Sequence, residues 1–193
     1  MRRPGPAAPA TVDKFEVLSQ LAEAPLLGGN CLVLEPLRTA HAEEMVLALS
    51  DPGLYRYTGG SPPTLEGLRA RYERQAKGWS PAGDERWSNW VVRERGGEAV
   101  GYVQATVRHG REGVVAELAW VIVATYQGRG LAKSAAWMMK QWLWRQGVRN
   151  FTAHVHPEHS ASASVAAHLG LSPTGLMEGG EVVWAETSRP IRR

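Results

Sequence analysis

The chain has 193 residues, 44% of them apolar and 21% charged, an ordinary balance for one soluble α/β domain with a full core. Its formal charge of +3 includes five terminal arginines (Arg2, Arg3, Arg189, Arg192, Arg193); without them the body carries −2, so the basicity belongs to the tails and argues against nucleic-acid binding. No apolar run approaches the ~20 residues of a membrane span, no apolar segment follows Arg2-Arg3 as a secretory signal would require, and the single Cys31 excludes an internal disulfide and suits the cytoplasm.

Residues 1–11, rich in Pro, Ala and Gly, read as loosely held, and 12–24 as a short helix with Phe15, Leu18 and Leu21 on one face. Residues 1–30 thus form a tail before a single domain over 31–186, and 187–193 a basic tail after it. Cys31–Leu37 reads as a strand in which Cys31 is buried filler rather than a reactive thiol. A helix follows over Ala40–Leu49, stopped by Asp51-Pro52-Gly53. Leu54–Pro63 is a loop carrying Tyr55 and Tyr57, and Thr64 to Lys77 a second helix. Trp87–Glu94 and Glu98–Arg108 are strands joined by a Gly96-Gly97 hairpin, with a third strand over Val114–Ala124. Leu131–Gln146 is a strong amphipathic helix capped by Gly147, Asn150–His156 a strand, Ser160–Leu169 a helix ending at Gly170, and Val182–Trp184 a final strand whose exposed apolar edge would suit a homodimer. Hairpins first and helical crossovers later imply a mixed α/β sheet, antiparallel at its start.

The most informative stretch runs from Val121 through Gln127-Gly128-Arg129-Gly130-Leu131-Ala132. Here an apolar strand passes through a Gly-x-Gly turn straight into a helix. Two glycines allow close backbone approach, the first helical N–H groups lack partners, and the helix dipole adds positive potential, so the turn suits phosphate. It is not a Walker A loop, since no Gly-Lys-Ser/Thr follows, nor a dinucleotide fingerprint, since Lys133 stands where the third glycine would be.

The spacing Gln127-x-x-Gly130-x-Ala132 resembles the acetyl-CoA pyrophosphate signature of the GNAT N-acyltransferase superfamily. The block His156-Pro157-Glu158-His159 through Leu169-Gly170-Leu171 looks like the family's Asn-x-x-Ser/Ala…Leu-Gly-Phe helix, and the segment from Leu34 through Tyr57 is most similar to the RimJ/RimL-like subgroup. The resemblance covers about residues 31–186. It implies a GNAT-like mixed, partly antiparallel sheet with a splayed central strand pair and flanking helices, and transfer of an acetyl group from acetyl-CoA to a primary amine by direct attack, with no metal. The alternative is a CoA-binding regulatory module of the same fold with little turnover.

Acetyl transfer needs a base for the ammonium, a donor for the oxyanion and a partner for the leaving thiolate. Glu117 interrupts an otherwise apolar strand and, by the resemblance, is the base. The resemblance also assigns the backbone of Val121, Ile122 and Val123 to the pantetheine arm, and Gln127, Gly128, Arg129, Gly130, Leu131 and Ala132 to the pyrophosphate. His159 stands where the family has asparagine, Ala166 where many members carry the tyrosine acid, and Ser162 where RimL-like enzymes place a serine near the sulfur. Tyr57 and Trp90 are expected in the acceptor wall, which suits a peptide N-terminus or a small amine. His154, His156 and His159 invite a metal, but apart from Glu158 no acidic or cysteine ligand stands at the right spacing.

Overall fold

Alternating apolar and polar residues in the central strands give a sheet that can be covered on both faces. The computed structural model describes residues 18–95, 97–110 and 113–186. Its strands are β1 (Leu27–Gly28), β2 (Leu32–Pro36), β3 (Glu85–Glu94), β4 (Ala99–Gly110), β5 (Gly113–Ile122), β6 (Asn150–Val155), β7 (Leu171–Glu178) and β8 (Glu181–Glu186). They form one sheet in the order β1-β2-β3-β4-β5-β6-β8-β7. Neighbours are antiparallel except β5 and β6, which run parallel because a helix connects them. The helices are α1 (Ala42–Ala48), α2 (Leu65–Gln75), α3 (Leu131–Arg145) and α4 (Ser160–His168).

On α3, Leu131, Ala135, Met139, Trp142 and Leu143 form a buried stripe packed on Leu34, Trp90, Val103, Ala105, Ala116 and Leu118 of the sheet. On the other face, Met45, Leu49, Leu68 and Tyr72 of the α1–α2 side pack against Val91, Ala99 and the half-buried Val121. Thr64 caps α2 by accepting from the Gly67 N–H at 3.1 Å.

The sheet's decisive feature is a short parallel pairing. β5 and β6 share only three register pairs, Val115 with Asn150, Ala116 with Phe151 and Glu117 with Thr152. Past Glu117 the strands part: β5 continues on β4 as far as Ile122 opposite Gly101, whereas β6 follows β8 to Val155 opposite Val182. The outer edge of Leu118–Ile122 is therefore open to a ligand. Gly101 backs this edge, and a Cβ there would lie 2.0 Å from the Val121 carbonyl oxygen, itself backbone. Gly101→Ala is expected to lower stability by about 2–3 kcal/mol, read as a reduced denaturant midpoint; an unchanged midpoint would refute the close β4–β5 approach.

Several expectations from the sequence are corrected. Residues 18–30 are no tail: Leu18 and Leu21 enter the core, Leu27–Gly28 pairs with β2, and the Pro25 carbonyl accepts from Trp90 Nε1 at 2.7 Å. Residues 1–11 and the earlier part of the helix expected over 12–24, with Phe15, lie outside the described residues, as do Gly96 of the hairpin turn and the tail 187–193. Cys31 is exposed rather than buried, because the strand begins one residue later and Cys31 sits in the bend before it. Val182–Trp184 is not an edge, since β8 lies between β6 and β7; the edge strands are β1 and β7, and the dimer loses the surface invoked for it. β7 itself escapes sequence reading because Pro173 and Gly175 look like loop residues, yet proline is tolerated on a sheet edge.

Candidate active site

The glycine turn is built as its residues require. After Val123 the chain makes a 3-10 turn over Ala124–Tyr126, and Gly128 and Gly130 adopt left-handed φ values of 77° and 76°. Gly130 is the N-cap of α3, and the first intrahelical bond runs from the Ser134 N–H to the Gly130 carbonyl at 3.1 Å. The N–H groups of Leu131, Ala132 and Lys133 thus lack intrahelical acceptors, at the positive end of a 15-residue helix with no acidic residue in its first turn. No protein atom lies within 4 Å of a Cβ built at either glycine, so the space in front of the turn is open. Arg129 does not face that space freely: it is ion-paired with Glu94 on β3, and its guanidinium lies 5.3 Å from the Tyr126 ring.

The open edge of β5 leads into this turn. The Val123 N–H donates to the Val100 carbonyl at 2.9 Å, so Val123 belongs to the β4 side. Alternation of backbone direction along a strand then aims the polar groups of Ile122 away from β4, toward the split, and those of Val121 back at β4. The Ile122 carbonyl already accepts from Gln127 Nε2 at 2.8 Å, which leaves the Ile122 N–H as the donor facing the split. Of the three expected backbone residues, Ile122 alone has the right direction. Gln127 ties the turn to the strand.

Glu117 stands at the last pair before the split, on the face opposite α3. Two residues along β4 and β6 from its partners Thr106 and Thr152 stand Arg108 and His154, diagonal neighbours on one face. Arg108 Nη1 donates to Glu117 Oε2 at 2.8 Å, and His154 Nδ1 lies 3.2 Å from Glu117 Oε1. The other ring nitrogen, Nε2, lies 3.3 Å from Glu178 Oε2 on β7. Burial pushes the Glu117 carboxyl up, but the Arg108 hydrogen bond, the charges of His154 and Arg108 and the His154 hydrogen bond outweigh it and hold the group below its ordinary value. Glu117 is a ready carboxylate at neutral pH.

Ser162 lies across the sheet from Glu117. Trp120, on the α3 face of β5, donates from Nε1 to Ser162 Oγ at 3.0 Å, bridging strand and α4 beside the split. His159, at the start of α4, stacks on Tyr57 with ring centroids 4.4 Å apart and 19° between planes, and Tyr57 also lies 5.2 Å from the His156 ring. The α1–α2 loop is thereby pinned over the end of β6. Burial, then the nearby His156, holds His159 below the ordinary imidazole range against the pull of Glu181, which favours the neutral ring. Trp90 does not join this group. It is 0% exposed, packed edge-on against Trp142 at 5.3 Å, because even-numbered positions of β3 face α3 and not the α1–α2 loop.

The structure therefore gathers Glu117, Ile122, Tyr57, His159 and Ser162 around the split and the glycine turn at its end, and it assigns Trp90 to the core. Arg108, Trp120 and Glu178 join this group without a signal in the sequence, which points to His154 only as a metal ligand. Alternation along β6 gives the face of His154, but no local pattern carries the register that brings it to Glu117. Nothing local signals Glu178, since its strand was unread.

The profile of the acetyltransferase (GNAT) domain family matches residues 32–172. Among solved structures, the chain is similar to an acetyltransferase from Agrobacterium tumefaciens (23% identity, TM-score 0.65, covering 86% of this chain and 96% of that one) and to a GNAT-family acetyltransferase from Bacillus anthracis (19%, 0.67, 83% and 97%). It is also similar to the ribosomal-protein acetyltransferase RimL in complex with coenzyme A (15%, 0.68, 84% and 97%). Comparison with curated proteins gives no match. With the split sheet and glycine turn in place and the family profile spanning most of the chain, the protein belongs to the GNAT acetyltransferase family.

Proposed function

We propose that the protein is a cytoplasmic, RimJ/RimL-like N-acetyltransferase that moves the acetyl group of acetyl-CoA to a primary amine, either a protein N-terminus or a small amine. The observation that carries this reading is the open edge of β5 leading directly into the glycine turn at the amino end of α3. A pantetheine amide pairs with such an edge as an added strand would, while the free N–H groups of Leu131, Ala132 and Lys133 hold the pyrophosphate. Glu117 takes a proton from the ammonium, directly or through water, and the Ile122 N–H meets the oxyanion. Ser162 assists the departing thiolate from the opposite side of the split. Tyr57 and His159 supply the aromatic wall beside the acceptor.

The test is acceptor-dependent thiol release from acetyl-CoA across peptide N-termini, amino acids, polyamines and aminoglycosides. Turnover with at least one of these classes is the expected result. CoA binding without any acceptor-dependent release would instead mark a CoA-binding module, and absence of both would overturn the reading.

A further inference from the structure

Acetyl transfer to an ammonium is not proton-neutral. An ammonium and a thioester become an amide, a thiol and one proton delivered to water. Glu117 is partly buried and held by Arg108, and a proton it accepts must leave before the next turnover. The structure connects it to the surface through one ring: His154 has Nδ1 3.2 Å from Glu117 and Nε2 3.3 Å from Glu178. Exposure is 34% at the Glu117 side chain, 20% at His154 and 66% at Glu178, so this chain of groups ends at its most exposed member. Arg108 meets Glu117 from β4, but a guanidinium keeps its protons and cannot serve as the exit. From β8 the residue opposite His154 is Val183, and the next same-face residue on β6, His156, is turned to Tyr57. Among the described residues, the titratable groups that meet the ring are therefore Glu117 and Glu178, one at the split and one mostly in solvent.

Resting on the reading of Glu117 as the group that accepts the amine's proton, we propose that His154 is a positioning residue that orients Glu117 and passes its proton through Glu178 to water. In each turnover one ammonium proton moves to Glu117 and on to His154 Nδ1. The imidazolium so formed releases one proton from Nε2 through Glu178. The freed amine lone pair forms the C–N bond, the C–S bond breaks, a second amine proton goes to the thiolate sulfur and the third stays on the amide nitrogen. One proton enters the chain of groups and one leaves, and the ring returns from the Nδ1–H to the Nε2–H tautomer by proton exchange with water before the next turnover.

The wild-type protein, His154→Gln, His154→Ala and Glu178→Gln are compared in acetyl transfer to the acceptor found for the wild type. His154→Gln is expected to lower kcat about 10-fold or more, to leave the KM for acetyl-CoA unchanged and to displace the acidic limb of the kcat/KM profile. Added imidazole should restore part of the His154→Ala rate, which a bracing role alone would not allow. Glu178→Gln should become dependent on buffer concentration, as small bases take over proton removal. A His154→Gln protein with wild-type kcat and pH profile would overturn the proposal. So would a His154→Ala loss that imidazole does not recover, together with a buffer-insensitive Glu178→Gln. A wild type that turns over no amine overturns the acetyl-transfer reading itself and the proton path with it, an outcome visible before any variant is made.

Discussion

Replacing Glu117 by glutamine is expected to lower kcat for acetyl transfer by about 10²-fold or more and to leave the KM for acetyl-CoA unchanged. The side chain keeps its size and its place at the last β5–β6 pair, so the open edge of β5 and the glycine turn persist. What disappears is the carboxylate proposed to take the amine's proton. Steady-state kinetics separate the two quantities: a rise in KM with kcat intact would assign Glu117 to thioester binding, and unchanged kinetics would remove it from the reaction. The same variant carries a pH signature. The folded-state pKa of Glu117 is depressed, so the stability it contributes is present above the unfolded carboxylate value of about 4.3 and is lost as pH falls through the lower folded value. Melting temperatures followed down through this acid range should fall less steeply for Glu117→Gln than for the wild type. The magnitude is small, because the Arg108 partner is solvent-exposed enough for screening.

Gly130→Val should weaken CoA binding about tenfold or more. The left-handed φ of 76° costs an L-residue about 1–2 kcal/mol, and a β-branched one still more. About 1.4 kcal/mol corresponds to a factor of ten in affinity. The new side chain meets no protein atom; it projects into the open space before the helix, where an anion would approach the free N–H groups. Gly28→Val is the matched control, since Gly28 also has open surroundings and lies in the edge strand β1. Calorimetric titration with CoA should separate the two variants, and equal affinities would exclude the turn as the pyrophosphate site.

The elements that carry these predictions differ in how far they were legible beforehand. The α3 helix and the turn before it are local objects: an apolar stripe of period 3.6 and two glycines with left-handed φ express themselves within about twenty neighbouring residues. Glu117 stood out because a charge in an apolar strand needs a partner. Its partners, Arg108 and His154, come from β4 and β6, and a strand pattern gives the face of a residue but not the register that brings faces together. Trp90 shows the converse. An aromatic residue in a strand flanking the expected pocket has equal claim to either face, and only the placement of α3 decides that it is core.

The sequence by itself determined the elements of the proposed donor site: a strand, a glycine turn and a helix in that order, with a carboxylate ten residues upstream of Gln127. Those features depend on backbone sterics and hydrogen bonding between near neighbours. Only the tertiary structure decided that β5 and β6 part after three pairs, that Ile122 faces the gap, and that His154 joins Glu117 to Glu178. These follow from strand pairing between segments more than twenty residues apart, set by the packing of α3 and the β7–β8 hairpin against the sheet, and no local pattern encodes such a pairing.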